Sequence, residues 1–403
     1  MLFRAETETI PTEARTALTP TWVVVGLAMG PAVSSGLARS AYGLLLPAMR
    51  ADLGWDFAQS GAMSSAIAIG YLAGALMTAP LGRWTGVKRL YAIGLALCTL
   101  AIAASGIGSR YSVLLMLRFI AGLTGAFTFI SGTALTAAAA AGGGTNRAPT
   151  FLGIYFSGGG LGIVASAVAV PPLLDAVGWR GGWLVLGALG LGATVFGCCV
   201  LRRSPEPASS APAALGSSWS PRLMAPHLLA YGLFGAGYFA YVTFIVAYLR
   251  SDEGFSAADI SLFWSMLGLA SVAAVFFWGP VLGRLKGGKG AAATIGVVMI
   301  GAAIPLVWST PGGAYLSAAI FGGSFLSVGS AVVAFARRVT HPNAWTVTIA
   351  TLIVAFGLGQ CVGPLSSGAL SDGPSGIRAG LWLAVGLLAT GSLVAMLQNE
   401  PRV

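Results

Sequence analysis

Two arginines lie inside stretches that are otherwise almost wholly apolar: Arg39, in GLARSAYGLLLPAM, and Arg118, in YSVLLMLRFIAGLTG. A guanidinium stays charged at physiological pH and offers five N–H donors in a planar fork, the shape that grips a carboxylate through two parallel bonds. The acids that would balance these cations are all elsewhere. Glu6, Glu8, Glu13, Glu206 and Glu400 fall in polar segments, and Asp52, Asp56, Asp175, Asp252, Glu253, Asp259 and Asp372 fall at the edges of apolar stretches. Two permanent cations with no internal acid make a place that accepts an anion. Tyr42, three residues after Arg39, shares its face if the stretch is helical. Gln360 is the one amide deep in an apolar stretch, where its polar atoms need partners. Tyr155, Tyr238, Tyr241 and Trp264 are further aromatic candidates for ligand contact, although packing or an interface belt accounts for each better.

Other chemistries find no support. His227 and His341 sit at the ends of apolar stretches, no Ser–His pairing is evident, and no His, Cys and acid residues share metal-ligand spacing. Cys98, Cys198, Cys199 and Cys361 all lie in apolar surroundings and read as small core residues rather than disulfide partners. The residue types therefore describe binding, without an enzyme activity, a metal or a cofactor.

The elements that must hold these residues follow from composition. Of 403 residues, 56% are hydrophobic and only 8% charged, and the mean hydropathy is +0.83. Soluble domains carry about 25% charged residues, so this chain has too little polar surface to cover a globule in water. A lipid bilayer accepts such an exterior, and the 58 glycines suit close helix packing within it. A net charge of +10 would suggest nucleic acid for a soluble protein. Here it belongs to the loops, and no nucleic-acid partner is expected.

A span takes about 20 apolar residues. The sequence supplies twelve: 22–48, 58–82, 89–108, 112–138, 151–174, 181–201, 225–249, 260–283, 290–309, 313–336, 344–370 and 378–397. The expected layout is a tail at 1–21, six helices over 22–201, a linker at 202–224, six more over 225–397, and a tail at 398–403. The linker, rich in Pro, Ser and Ala, has the composition of a flexible connector.

Charge supports the count. With both termini cytoplasmic, the inner loops and tails hold 15 Lys and Arg, among them Arg83, Lys88, Arg284 and Lys289, against five (Arg50, Arg110, Arg180, Arg250 and Arg378) outside. That is the bias of a multi-pass inner-membrane protein.

The halves echo each other. Leu81, Gly82, Arg83, Gly86 and Lys88 recur as Leu282, Gly283, Arg284, Gly287 and Lys289, all 201 residues on, and Arg180-Gly181-Gly182-Trp183-Leu184 is echoed by Arg378-Ala379-Gly380-Leu381-Trp382. Two parallel repeats in a membrane place a substrate site near the midplane between them. With its basic loops and Arg118-Phe119-Ile120-Ala121-Gly122 in the fourth span, the chain resembles the major facilitator superfamily (MFS) over essentially its whole length. The stretches 39–49, 153–162 and 359–364 are similar to its bacterial YbfB/YjiJ-type branch. One departure is that Arg83 and Arg284 occupy the column where the superfamily usually has an Asp, so these cations are expected to sit on helix C-terminal carbonyls instead.

The resemblance implies an all-α fold of twelve transmembrane helices in two pseudo-symmetric halves, and a secondary transporter working by alternating access. From the residues, the expected cargo is a small organic anion such as a monocarboxylate, with or without a coupled proton; the alternative is efflux of amphipathic drugs or metabolites. Arg83, Lys88, Arg284 and Lys289 are expected in the gate, and Gly122, Gly159, Gly363 and Pro364 in helix packing and rocking. A monomer in the lipid bilayer is expected.

Overall fold

The computed structural model describes residues 20–141, 148–202, 221–340 and 345–398. Among these there is no β-strand, and twelve helices are long and apolar enough to cross a membrane. They are α1 (Pro20–Leu53), α2 (Phe57–Thr85), α3 (Val87–Ser105), α4 (Tyr111–Ala141), α5 (Ala148–Ala169), α6 (Pro171–Arg202), α7 (Pro221–Ser251), α8 (Ala257–Leu282), α9 (Lys289–Val307), α10 (Pro311–Val339), α11 (Trp345–Ser371) and α12 (Gly376–Met396). Most of the expected tails, most of the linker at 202–224 and His341 lie outside the described residues. The face where α1 begins is here called proximal and the opposite face distal; odd-numbered helices run from proximal to distal.

The packing repeats between halves. In the first half α2 lies on α4, α3 on α4 and α6, and α1 on α5; in the second, α8 lies on α10, α9 on α10 and α12, and α7 on α11. The seam between halves is made by α2 against α11 and by α5 against α8, again a related pair. Even the helix starts match. Asp56 and Gln59 form a capping box on α2, and Ser256 and Asp259 form one at the same place on α8. Each box satisfies N–H groups that a helix start leaves unpaired.

Two segments depart from the sequence reading. The fifth span, expected to reach 174, ends at Ala169, and α6 starts at Pro171 rather than 181. Pro171 and Pro172 explain this: a proline disfavours helical backbone in the residue before it and suits the first turn of a new helix. Within α6, Gly178 breaks the helical path with φ 63°, in the left-handed region that glycine enters without strain. The other departure is in α1, which passes into a π-helical stretch over Ala32–Ser40 before resuming as α-helix at Tyr42. Such wide turns often occur at functional sites. This one carries Arg39.

The halves are fastened on the distal side. Asp372, just after α11, accepts the Phe57 and Ala58 N–H groups of α2. Thr243 of α7 donates to Ser64 of α2, and Ser261 of α8 donates to the Ala167 carbonyl of α5. Arg250, near the end of α7, pairs with Asp175 at 3.7 Å. Glycine makes the close crossing possible: a Cβ on Gly61 would lie 2.2 Å from the Pro364 carbonyl oxygen, and one on Gly368 2.2 Å from that of Phe57.

Candidate functional site

Arg39, Gln360 and Tyr238 come together where the halves meet. Each lies near the middle of its helix, in α1, α11 and α7 respectively. Arg39 Nη1 donates to Gln360 Oε1 at 3.2 Å, and Gln360 Nε2 donates to the Tyr238 hydroxyl at 2.8 Å. The orientation of the amide follows from chemistry: a guanidinium only donates, so the oxygen must face it and the NH₂ must face the tyrosine. Both ends of the buried Gln360 are thereby satisfied. The Arg39 guanidinium stands 4.6 Å from the ring centroid of Tyr71, in the middle of α2, and 5.4 Å from that of Phe239.

Arg39 is half-buried although α1 is mostly enclosed by other helices. Among the described residues no carboxylate pairs with it; the ion pairs found are Arg180–Asp52 and Arg250–Asp175, both near the distal face. Magnitudes show what this leaves unsettled. Removing a cation from water costs several kcal/mol, and a desolvated cation–π contact returns about 2 kcal/mol. Two rings and one amide oxygen offset much of such a cost for a half-buried cation, but none of them carries the negative charge that pairs its fork.

Arg118 does not join this group. It is 3% exposed, lies toward the distal end of α4 and donates from Nη1 to the Ala38 carbonyl of the π-helical stretch. The rings of Tyr42 and Trp183 cover it at 4.7 and 5.4 Å. The two arginines, expected together to make a place for an anion, therefore point to different environments, Arg118 toward a backbone carbonyl and Arg39 toward the Gln360 amide. Its Nε and Nη2 have no hydrogen-bond partner.

The remaining candidates are packed apart. Tyr42 donates to the Ser60 carbonyl, and Tyr155 donates to the Phe129 carbonyl. Tyr241 shares a hydrogen bond with Ser317 and stacks on Phe321 at 4.4 Å, within the second half. Trp264 is fully buried, with Nε1 unpartnered and the ring end facing Gly43 of α1. Arg83, Arg284 and Lys289 are exposed at proximal helix ends, with Lys88 half-buried beside them.

Several residues at the centre were missed from the sequence. Tyr71 is the one aromatic of α2 between Phe57 and Trp84, at mid-span, and its isolation was the available signal. Tyr231, Phe234 and Tyr238 share a face of α7 by their spacing, as do Phe356 and Gln360 on α11. Phe356 stacks on Tyr231 at 4.6 Å and lies 5.8 Å from Phe234 and from Tyr238. From the first half, Phe129 lies between Tyr71 at 6.3 Å and Phe156 at 5.7 Å.

A bundle of twelve membrane helices in two related halves, with a polar group fixed at mid-depth between them, is the architecture of a secondary transporter. The chain belongs to the MFS-type transporters: residues 31–396 match the family described as "Uncharacterised MFS-type transporter YbfB". Monocarboxylate transporter 11 of Homo sapiens is 31% identical, covering 93% of this chain and 82% of that protein. A chloramphenicol resistance protein of Streptomyces lividans is 28% identical over 87% of this chain and 90% of its own length. A 4-hydroxybenzoate transporter, PcaK of Pseudomonas aeruginosa, is 30% identical over 46% of this chain and 40% of its own. The crystal structure of the nucleoside transporter NupG shares the fold, with a TM-score of 0.72 at 16% identity over 94% of this chain and 98% of that one. The chain is thus a membrane transporter of small organic molecules and not an enzyme.

Proposed function

We propose that this transporter carries a small organic anion by alternating access, with Arg39 receiving the negative charge. One observation carries the reading: a half-buried cation at mid-depth between the halves, held by an amide and two rings, with no carboxylate against it among the described residues. An incoming carboxylate supplies the missing charge and takes the remaining N–H donors of the fork. The relatives named for monocarboxylate and 4-hydroxybenzoate transport are consistent with this cargo. Arg118 has a different part, holding α4 to the π-helical stretch of α1 and so steadying the backbone next to Arg39. The excess of Lys and Arg on the proximal side favours a cytoplasmic proximal face in an inner membrane, and the fastened distal side then leaves the site to be reached from the cytoplasm. A second reading, export of a neutral drug-like molecule, draws on the chloramphenicol resistance relative.

The test is a thermal-shift series on purified protein with lactate, acetate and benzoate, repeated on Arg39→Ala. Stabilisation by at least one of these acids that vanishes in the variant is the expected result. If none of them stabilises the wild type, or the variant responds equally, the anion reading fails and the export reading gains.

A further inference from the structure

We propose that the anion carries a planar aromatic ring, its carboxylate on Arg39 and its ring on the proximal side between two aromatic walls. The inference rests on the anion reading and adds the chemical class of the cargo. One wall, from the first half, is Tyr71, Phe129 and Phe156 on three different helices. The other, from the second half, is Tyr231, Phe356 and Tyr238. The two walls meet across the seam at the polar centre, where Tyr71 and Tyr238 both lie against the Arg39–Gln360 pair. Arg39 and Gln360 join them at mid-depth, through the Tyr71 ring on one side and the Tyr238 hydroxyl on the other.

Depth gives the direction. Tyr231 and Phe356 lie two to three turns from the proximal ends of α7 and α11, and Phe129 and Phe156 lie at comparable depth on α4 and α5, whereas Arg39 sits at the middle of the longer α1. The rings therefore line the path on the proximal side of the cation. The seam on the distal side is instead made of small residues, Gly61 and Gly368, in backbone contact.

Burial shows that the first wall and Phe356 have surface to give, whereas Tyr231 and Tyr238 are themselves buried. Tyr71, Phe129, Phe156 and Phe356 are half-buried, although their neighbours Phe239 and Tyr155 are fully enclosed. A small aliphatic acid satisfies Arg39 and leaves these ring faces uncovered. An aromatic acid satisfies the cation and also takes offset or edge-to-face contacts from both walls. The guanidinium already lies over the rings of Tyr71 and Phe239, and the cargo's carboxylate takes N–H donors that Gln360 leaves free.

The experiment measures dissociation constants of benzoate, lactate and benzyl alcohol for the full chain in lipid nanodiscs. It uses wild type, Arg39→Lys, Phe129→Leu and Phe356→Leu, each checked for an intact thermal transition. Benzoate is expected to bind about tenfold or more tighter than lactate, benzyl alcohol at least as weakly as lactate, and both Leu variants to narrow the benzoate-to-lactate ratio. Lactate binding as tightly as benzoate, with both weakened in Arg39→Lys, overturns the ring proposal and leaves the anion reading standing. Failure of both acids to bind, or benzyl alcohol matching benzoate, overturns both. A ratio unchanged in both Leu variants overturns the assignment of the walls.

Discussion

Asp372 caps the first turn of a helix in the opposite half: its two carboxylate oxygens accept the Phe57 and Ala58 N–H groups at 2.8 and 2.9 Å. With Asp56 taking the Gln59 N–H, three donors at the start of α2 are satisfied, two of them from across the seam. The negative charge also faces the positive end of the α2 dipole. Asp372 is a distal latch, and its strength depends on the halves staying together there.

Asp372→Ala is expected to favour separation of the halves on the distal side. Loss of a cap costs about 0.5–2 kcal/mol, which raises the distally separated population roughly twofold to thirtyfold. The check is the rate at which a water-soluble maleimide modifies position 64 in a Ser64→Cys background, resolved by peptide mass spectrometry. Ser64 is buried in the seam. An unchanged rate would remove Asp372 from the latch.

The two arginines inside the bundle predict different profiles. Arg39→Ala removes a cation with no carboxylate against it among the described residues but leaves Gln360 Oε1 unpaired, so the ligand-free protein is expected to melt close to the wild-type temperature and to lose its response to anions. Arg118→Met removes the charged hydrogen bond that ties α4 to the Ala38 carbonyl of α1, worth about 1.5–3 kcal/mol, so it is expected to melt several degrees lower. Thermal unfolding with and without benzoate separates the two.

Gln360→Glu places a carboxylate where Arg39 now donates to an amide. The variant carries its own counter-ion, and anion binding is expected to disappear while ligand-free stability rises. Tyr238→Phe is a milder probe. It takes the acceptor from Gln360 Nε2, freeing the amide to turn its NH₂ toward the guanidinium. A loss of about 0.5–1.5 kcal/mol in anion affinity is expected, roughly twofold to thirteenfold. Calorimetric titration reads both.

The glycines named for packing and rocking are not equivalent. A Cβ on Gly122 would meet the Ile67 carbonyl oxygen at 2.0 Å, and one on Gly363 that of Ala236 at 2.2 Å, both backbone contacts within one half. On Gly159 the nearest atom is 3.7 Å away. Alanine at 122 or 363 is expected to cost about 1–3 kcal/mol through overpacking, whereas Gly159→Ala is expected to be neutral or slightly stabilising. Melting temperatures of the three variants check this.

Composition and internal echoes by themselves determined the membrane class, the twelve spans and the two related halves, because lipid forces each crossing into a long apolar helix. They also picked out Arg39 and Gln360, since a polar group in an apolar run is rare enough to stand out singly. What the sequence alone left undecided was which of these groups meet. Arg39, Gln360 and Tyr238 come from three helices and converge only through the crossing of α1, α7 and α11, while Arg118 bonds the Ala38 carbonyl of the π-helical stretch instead. The aromatic walls were equally hidden: a phenylalanine in an apolar helix reads the same whether it faces lipid, a neighbouring helix or the centre, and only packing distinguishes these.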